Sequence, residues 1–407
     1  MSTIRFLGIA EVVAQVDKFT PADVEVDDIF TLTATGLDGT TASVSFTATA
    51  ATVANVTAGL TAAWNNSANS LHTPITAADN TTDLTLTADV PGVAFSVAAS
   101  TTNGGAVDDQ TLTRAVVTKN EGPNDYSSTD NWSGGALPGG AANQDVYIEG
   151  ATVLYGLDQS GIANTLDSLN ISQSRIGSNP ASGCLAIYLQ IKATAVNIGQ
   201  HTGPGTPTEL APINIDVGAT ASTVTVYNTG TNSPATMPAV RIKANHANTK
   251  VYVRKGKFGI GFEPGETSLL SEISESYVNQ VASDADVFIG PGVTLTTFNK
   301  TGGDATLECA ATTVNNDGGD MVTAGSGAIT TINCTKGTVE SNSTGTVTNC
   351  IAIKTGFVDF TKSKAARTVT TTKVGDSGKV KYDPSVVTMT NKIQPYDASG
   401  EITIQAA

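Results

Sequence analysis

Three tetrapeptides, Thr296-Thr297-Phe298-Asn299, Thr312-Thr313-Val314-Asn315 and Thr330-Thr331-Ile332-Asn333, recur at intervals of 16 and 18 residues. A strand this short buries too little to stand alone, so a β segment repeated at a near-constant interval must stack on copies of itself. A second column, Leu307, Val322, Val339 and Val358, runs beside the first at intervals of 15, 17 and 19. Two registered columns at this spacing fit a small-coil parallel β-helix, or β-solenoid. Each turn gives short strands with apolar residues inward and Thr and Asn in ladders at or near the surface. Cys334 and Cys350 are 16 residues apart and are expected as stacked core thiols. Upstream, Leu169-Asn170-Ile171, Val196-Asn197-Ile198, Ile213-Asn214-Ile215, Val224-Thr225-Val226, Val251-Tyr252-Val253 and Val287-Phe288-Ile289 are short β segments broken by Gly and Asn. The parallel β-helix is therefore placed over residues 145–380, with a C-terminal β cap over 381–407.

The pattern ahead of residue 120 is different. Phe30-Thr31-Leu32-Thr33-Ala34 and Ser43-Val44-Ser45-Phe46-Thr47-Ala48 alternate apolar with polar around Asp38-Gly39, a hairpin signal. Thr52 is a helix N-cap, and Val53, Val56, Leu60, Ala63 and Trp64 follow at helical spacing up to Asn65-Asn66-Ser67. Leu84 to Ala88, Pro91-Gly92 and Val93 to Val97 repeat the hairpin logic, and Thr111 to Val117 reads as a last strand. Residues 21–119 are thus expected to form an α+β domain, a sheet with one helix across it. Residues 1–20, with Ile4, Phe6, Leu7, Val12, Val13 and Val16, are set apart as an N-terminal arm; a first strand or short helix of the next domain is the other, plainer reading. Residues 120–144 are rich in Gly, Pro, Asn and Ser and read as a linker or cap, with Trp132 covering the open end of the β-structure; a sugar platform is the alternative role for that ring. The fold class is mainly β, an α+β domain followed by a β-solenoid.

Composition narrows the function. Charged residues make up only 14% and aromatics 5%, which excludes a coiled coil or helical bundle. A net charge of −15 argues against nucleic acid and anionic membranes as partners. No stretch approaches the roughly 20 apolar residues of a membrane span, and the first residues lack the pattern of an export signal.

Candidate chemistry is sparse, and no catalytic, cofactor-binding or metal-ligating residue is assigned. Glu263, Glu266, Glu272 and Glu275, around the turn Pro264-Gly265, are the carboxylates that glycoside cleavage would need; the turn makes a solvated acidic loop the preferred reading. Asp284 and Asp286 are read as outward strand positions. His72, His201 and His246 have no partner at metal-ligand spacing. Cys184, Cys309, Cys334 and Cys350 are read as core residues. Asn316 to Asp320, Asn-Asp-Gly-Gly-Asp, has calcium-loop flavour without the acidic residue that would close such a loop, and is taken as a turn. No cofactor is expected. Tyr126, Tyr147, Tyr155, Tyr188, Tyr227, Tyr252 and Tyr277 are scattered, not clustered as in a glycan groove.

Phe19-Thr20-Pro21 with Val26 to Thr33, the run from Phe46 to Leu60, and Leu154-Tyr155-Gly156-Leu157-Asp158-Gln159-Ser160 resemble a family of mostly uncharacterised proteins encoded among the virion genes of tailed bacteriophages and prophages. The resemblance implies a non-enzymatic structural protein, a capsid decoration (cement) protein made in the host cytoplasm and seated on the capsid exterior. Its implied partners are the major capsid protein and two further copies in a trimer. The competing expectation is a tailspike or fibre that binds a host-surface glycan. Asn131-Trp132-Ser133-Gly134-Gly135 also looks like passages that open autotransporter β-helices, but the strands of an outer-membrane barrel are not found.

Overall fold

The computed structural model describes residues 2–36, 39–150, 152–172, 188–199, 213–227, 238–275, 285–396 and 401–404. Among the described residues the chain is mainly β with one α-helix, and a long run of parallel strands consistent with a β-solenoid. Cys184, His201, Tyr277 and Asp284 lie outside the described residues, as does Asp38 of the first hairpin signal.

The parallel strands form two ladders. In the first, Gln144–Ile148, Leu166–Ile171, Ala193–Ile198, Thr223–Val226, Lys250–Val253, Ser268–Glu275 and Val293–Lys300 pair one on the next. It continues through Ala310–Thr323, Ile329–Ser341, Val347–Asp359 and Arg367–Val374. Register places Val146, Leu169, Val196, Val224, Val251, Ile273, Phe298, Val314, Ile332 and Cys350 in one inward column, all fully buried. Burying an aliphatic or aromatic side chain of this size stabilises by about 1.5–3 kcal/mol, and each coil supplies one such side chain to this column. From Val146 to Phe298 successive members are 22 to 28 residues apart; from Phe298 to Cys350 they are 16 to 18 apart. The coils tighten midway.

The second ladder runs through Leu189–Gln190, Ile213–Asp216, Val240–Lys243, Lys257–Ile260, Asp286–Ile289 and Asp304–Leu307. It then merges with the second halves of the long strands. The six short segments read from the sequence are all strands, but Ile213 to Ile215 and Val287 to Ile289 belong to this second ladder and the other four to the first. The Thr-Thr-x-Asn column is in register as spaced, with Asn315 donating to Asn299 and Asn333 to Asn315, each at 2.8 Å. The companion column needs correction. Met321, not Val322, pairs with Val339, and Ala305, not Leu307, pairs with Met321, so the inward column is Ala305, Met321, Val339, Val358 and Val380. A bulge around Asn316 to Asp320 shifts the face by one residue. Cys334 and Cys350 are both buried but not stacked: Cys334 pairs with Ala352, and Cys350 with Ile332.

The expected arm is not free. Ser2–Phe6 pairs in parallel with Gln144–Ile148 and is the outermost strand of the first ladder, while Val16–Ala22 is a strand of the N-terminal unit. Pairing also runs past residue 380, where Val387–Met389, Gln394–Pro395 and Glu401–Ile404 continue the ladders. The N-terminal unit has two antiparallel sheets rather than one. One is ordered Ile75–Asp79, Leu84–Ala88, Val16–Ala22, Thr111–Thr118; the other Thr41–Thr47, Ile29–Thr35, Ser96–Thr102. Pro91-Gly92 therefore marks a crossing between sheets, not a hairpin turn. The helix, Val53–Asn65, is capped by the Thr52 side chain and buries Val56, Leu60 and Trp64.

Trp132 closes the first coil. It is 2% exposed, packs edge-on against Phe6 at 5.0 Å and Tyr126 at 4.6 Å, and donates from Nε1 to the Tyr126 carbonyl at 2.8 Å. A ring so buried offers no face to a sugar. Trp132→Ala is expected to cost about 3–5 kcal/mol, measured as a lower urea midpoint, with faster hydrogen exchange concentrated in Ser2–Phe6 and Gln144–Ile148; unaltered exchange there would show that the cap is not what holds the first coil.

Candidate functional site

The four glutamates grouped in the sequence separate into three environments. Glu263 and Glu266 sit on the turn after Lys257–Ile260, which folds back over the outer face of the second ladder. Arg241, on that face, is 3% exposed; its Nη1 is 2.5 Å from Glu263 Oε1, and its guanidinium lies over the Phe262 ring at 4.5 Å. Lys243, two residues along the same strand, is 3.0 Å from Glu266 Oε1 and 4.1 Å from the centre of the Tyr188 ring. The Tyr188 hydroxyl donates to Glu266 Oε1 at 2.8 Å, and the Glu263 amide donates to Glu266 Oε2 at 3.2 Å. Burial, with the Glu266 carboxylate alongside, pushes the Tyr188 pKa upward and keeps the phenol a donor.

This turn walls a cleft of about 640 Å³, with Asp216, Lys243 and Asn245 on the opposite side. A second hollow of about 320 Å³ shares Asp216, Gly218 and Ala219 with it and continues to Lys192 and Ser160. Together they make a groove along the stack that offers a carboxylate, an ammonium and an amide to a polar ligand. Each glutamate on the turn is engaged by its own cation, an arrangement that fixes the turn. Among the described residues the tyrosines do not converge on the groove: of them only Tyr188 is near it, and it is buried beneath Lys243.

Glu272 points outward on the first ladder, 3.3 Å from Lys250 and accepting from Ser274 at 2.7 Å; that hydroxyl chiefly holds its pKa down, assisted by Lys250. Asp286 begins a second-ladder strand in register with Lys257 and Asp304. Among the described residues no three His, Cys, Asp or Glu side chains are grouped to hold a metal ion, and no helix is long and apolar enough to cross a membrane. His72 is buried against Trp64, and His246 Nδ1 accepts from the Asn248 amide. Cys309, Cys334 and Cys350 are free thiols, all raised in pKa by burial, Cys309 to about 12 and Cys334 to about 11.

Glu275 is the exception, because it points into the core. Its column begins as Phe6, Ile148, Ile171, Ile198, Val226 and Val253, then becomes Glu275, Lys300, Asn316 and Cys334 before reverting to Ala352 and Val374. The column lies at the corner where the chain leaves the first ladder, and in the tight coils the carbonyls of that corner face inward. Lys300 donates to the carbonyls of Gly302 and Gly303, and Asn316 to those of Lys336 at 3.1 Å and Thr338 at 3.3 Å. The Cys334 thiol lies 3.6 Å from the carbonyls of Gly337 and Phe357. Nothing in the short Glu-x-x-Glu spacing or in Asn-Asp-Gly-Gly-Asp marks these residues as internal; the parallel register does.

Compared with known proteins, the chain matches no family model, no curated protein and no solved structure.

Burial pushes the Glu275 pKa up from an ordinary 4.5 to about 8, against the opposing pull of Lys300. Between those values the Glu275 carboxyl keeps a proton that the unfolded chain has released, and this group alone lowers stability as pH rises, by at most about 1.4 kcal/mol per pH unit; a proton given up by Lys300, whose pKa burial lowers, acts in the opposite direction. Urea unfolding at about pH 5 and about pH 8 should show the wild type losing stability relative to Glu275→Gln as pH rises; a difference between the two that does not change with pH would show that Glu275 does not titrate in this window.

Proposed function

We propose that the chain is a non-enzymatic structural protein of a tailed-bacteriophage virion, with an α+β head on a parallel β-helix. It acts as a capsid decoration (cement) protein that binds the major capsid protein on the particle exterior and stabilises the head. The observation that carries this reading is the continuous parallel pairing from Ser2–Phe6 to Glu401–Ile404. Every inner coil is hydrogen-bonded to two neighbours, so a local opening has to break ladders on both sides, a property that suits a particle exposed outside a cell. The sequence resemblance to phage virion proteins points the same way, and the charge of −15 suits a surface not meant to hold nucleic acid. The working unit is a homotrimer.

Quantitative mass spectrometry of purified particles from the phage or prophage that encodes the chain tests this. A fixed stoichiometry with the coat protein, as on a lattice, is expected; a few copies per particle would overturn it. Light scattering of the isolated protein should give three times 41.4 kDa, and a concentration-independent monomer would remove the trimer from the proposal.

A second reading, a tailspike or fibre that grips host-surface polysaccharide, is favoured by the groove beside Asp216, Lys243 and Glu266. Under it, Lys243→Ala should weaken retention on the host polysaccharide at least about tenfold, the loss of one charged hydrogen bond; equal retention by wild type and variant would dismiss the groove as the binding surface.

A further inference from the structure

The coil-to-coil register sets Glu275, Lys300 and Asn316 one above another inside the stack. Their exposures are 2%, 0% and 0%. Lys300 Nζ is 3.5 Å from Glu275 Oε2 and donates to the carbonyls of Gly302 and Gly303. It also packs against Gly319, where a Cβ would come within 2.6 Å of it. The carbonyl of Gly319 accepts from Asn316 Nδ2 at 3.4 Å, so the amine and the carboxamide converge on one turn.

Two carbonyl acceptors match the two N–H bonds of a neutral amine and leave its lone pair unengaged. Asn316 Oδ1 and both oxygens of Glu275 have no hydrogen-bond partner among the described residues. As a purely structural device this is costly, because each orphaned buried acceptor forfeits its hydration. As a reaction site it is complete: a nucleophile, an electrophile and a proton carrier occupy successive rungs of one buried column closed to water.

We propose that Lys300 and Asn316 are joined by an intramolecular isopeptide bond that forms within the folded chain, with Glu275 as its catalytic residue. The lone pair of Nζ attacks Cγ of Asn316; the Nζ–Cγ bond forms and the Cγ–Nδ2 bond breaks. Glu275 gives its proton to the departing nitrogen and takes one from Nζ, so its own state is restored and Nδ2 leaves as ammonia. An amine and a primary amide become a secondary amide and ammonia, with nothing oxidised or reduced. Burial favours the reactive protonation states, lowering the pKa of Lys300 and raising that of Glu275. Holding the groups on adjacent rungs removes the entropic cost of bringing them together, and exclusion of water protects the product from hydrolysis. The bond would cross-link consecutive coils, and it does not depend on the virion reading.

Tryptic peptide mapping of the denatured full-length protein tests the proposal. Lysine in an amide is not cut by trypsin, so the expected product is one peptide covering residues 258–336, uncut at Lys300 and lighter than its sequence by one ammonia. Lys300→Arg should restore both the cut and the full mass. In Glu275→Gln the joined fraction formed in a fixed time should fall at least about tenfold, the lower end of what a general acid–base contributes being larger still. Cleavage after Lys300 with unmodified masses would overturn the proposal. So would cleavage after Lys300 with the ammonia loss confined to Asn316-Asp317, since that is the mark of a succinimide.

Discussion

Parallel pairing in strict register makes each side chain of a coil meet the same position on the coils above and below, about 4.8 Å away. On the inward columns of the first ladder this repeats one apolar contact from Val146 to Cys350. The same rule is unforgiving toward polarity, because a polar residue facing inward has only its column neighbours and the corner carbonyls to satisfy it. Asn170 with Asn197, and Asn299 with Asn315 and Asn333, meet that condition as amide ladders near the surface. Glu275, Lys300 and Asn316 meet it only in part: Lys300 lies beside Glu275 and Asn316 donates to corner carbonyls, while Asn316 Oδ1 and the Glu275 oxygens stay without a hydrogen bond.

The polar column sits at short corners of the stack. In the coils that carry it the chain passes between ladders in the few residues between Lys300 and Asp304, then between Asn316 and Asp320, as it does between Val253 and Lys257 in a wider coil. So short a corner cannot turn all its carbonyls outward, and an inward carbonyl without a donor would be a buried orphan. Donors at the same column position meet that need in successive coils: the Lys300 amine and the Asn316 carboxamide as they stand before they are joined, and the Cys334 thiol. Gly319, with φ of +72°, brings the backbone close enough for Lys300 to reach, a conformation and a contact that a side chain would deny.

How much of this was legible in the sequence depended on whether a feature is local or set by register. The Thr-Thr-x-Asn period announced the stacked coils, and Thr52 with the Val53, Val56, Leu60, Trp64 spacing announced the helix, because both are short-range patterns. The companion column was misplaced by one residue at Met321 because a bulge is invisible to a count of intervals. The two ladders could not be told apart, since Val224-Thr225-Val226 and Ile213-Asn214-Ile215 look alike until their partners are known. The N-terminal strand escaped for a related reason: Ser2–Phe6 pairs with residues more than a hundred positions away. The grouping of Glu263, Glu266, Glu272 and Glu275 was an accident of sequence, and the fold sends them to a surface turn, an outward ladder and the core.

The position of the charged column also bears on how the stack coheres. Two coils of equal length can match along their whole perimeter, whereas a wide coil and a narrow one match only along the ladders and must diverge at a corner. That mismatch falls between Phe298 and Val314, where the interval first drops to 16, and Lys300 and Asn316 are the corner residues of those same two coils. The covalent bond proposed between Lys300 and Asn316 would tie those two coils together at that corner. The coils on either side are held by their apolar columns, which run unbroken through the step from Phe298 to Val314, and at the step the polar column of Glu275, Lys300 and Asn316 is set beside them.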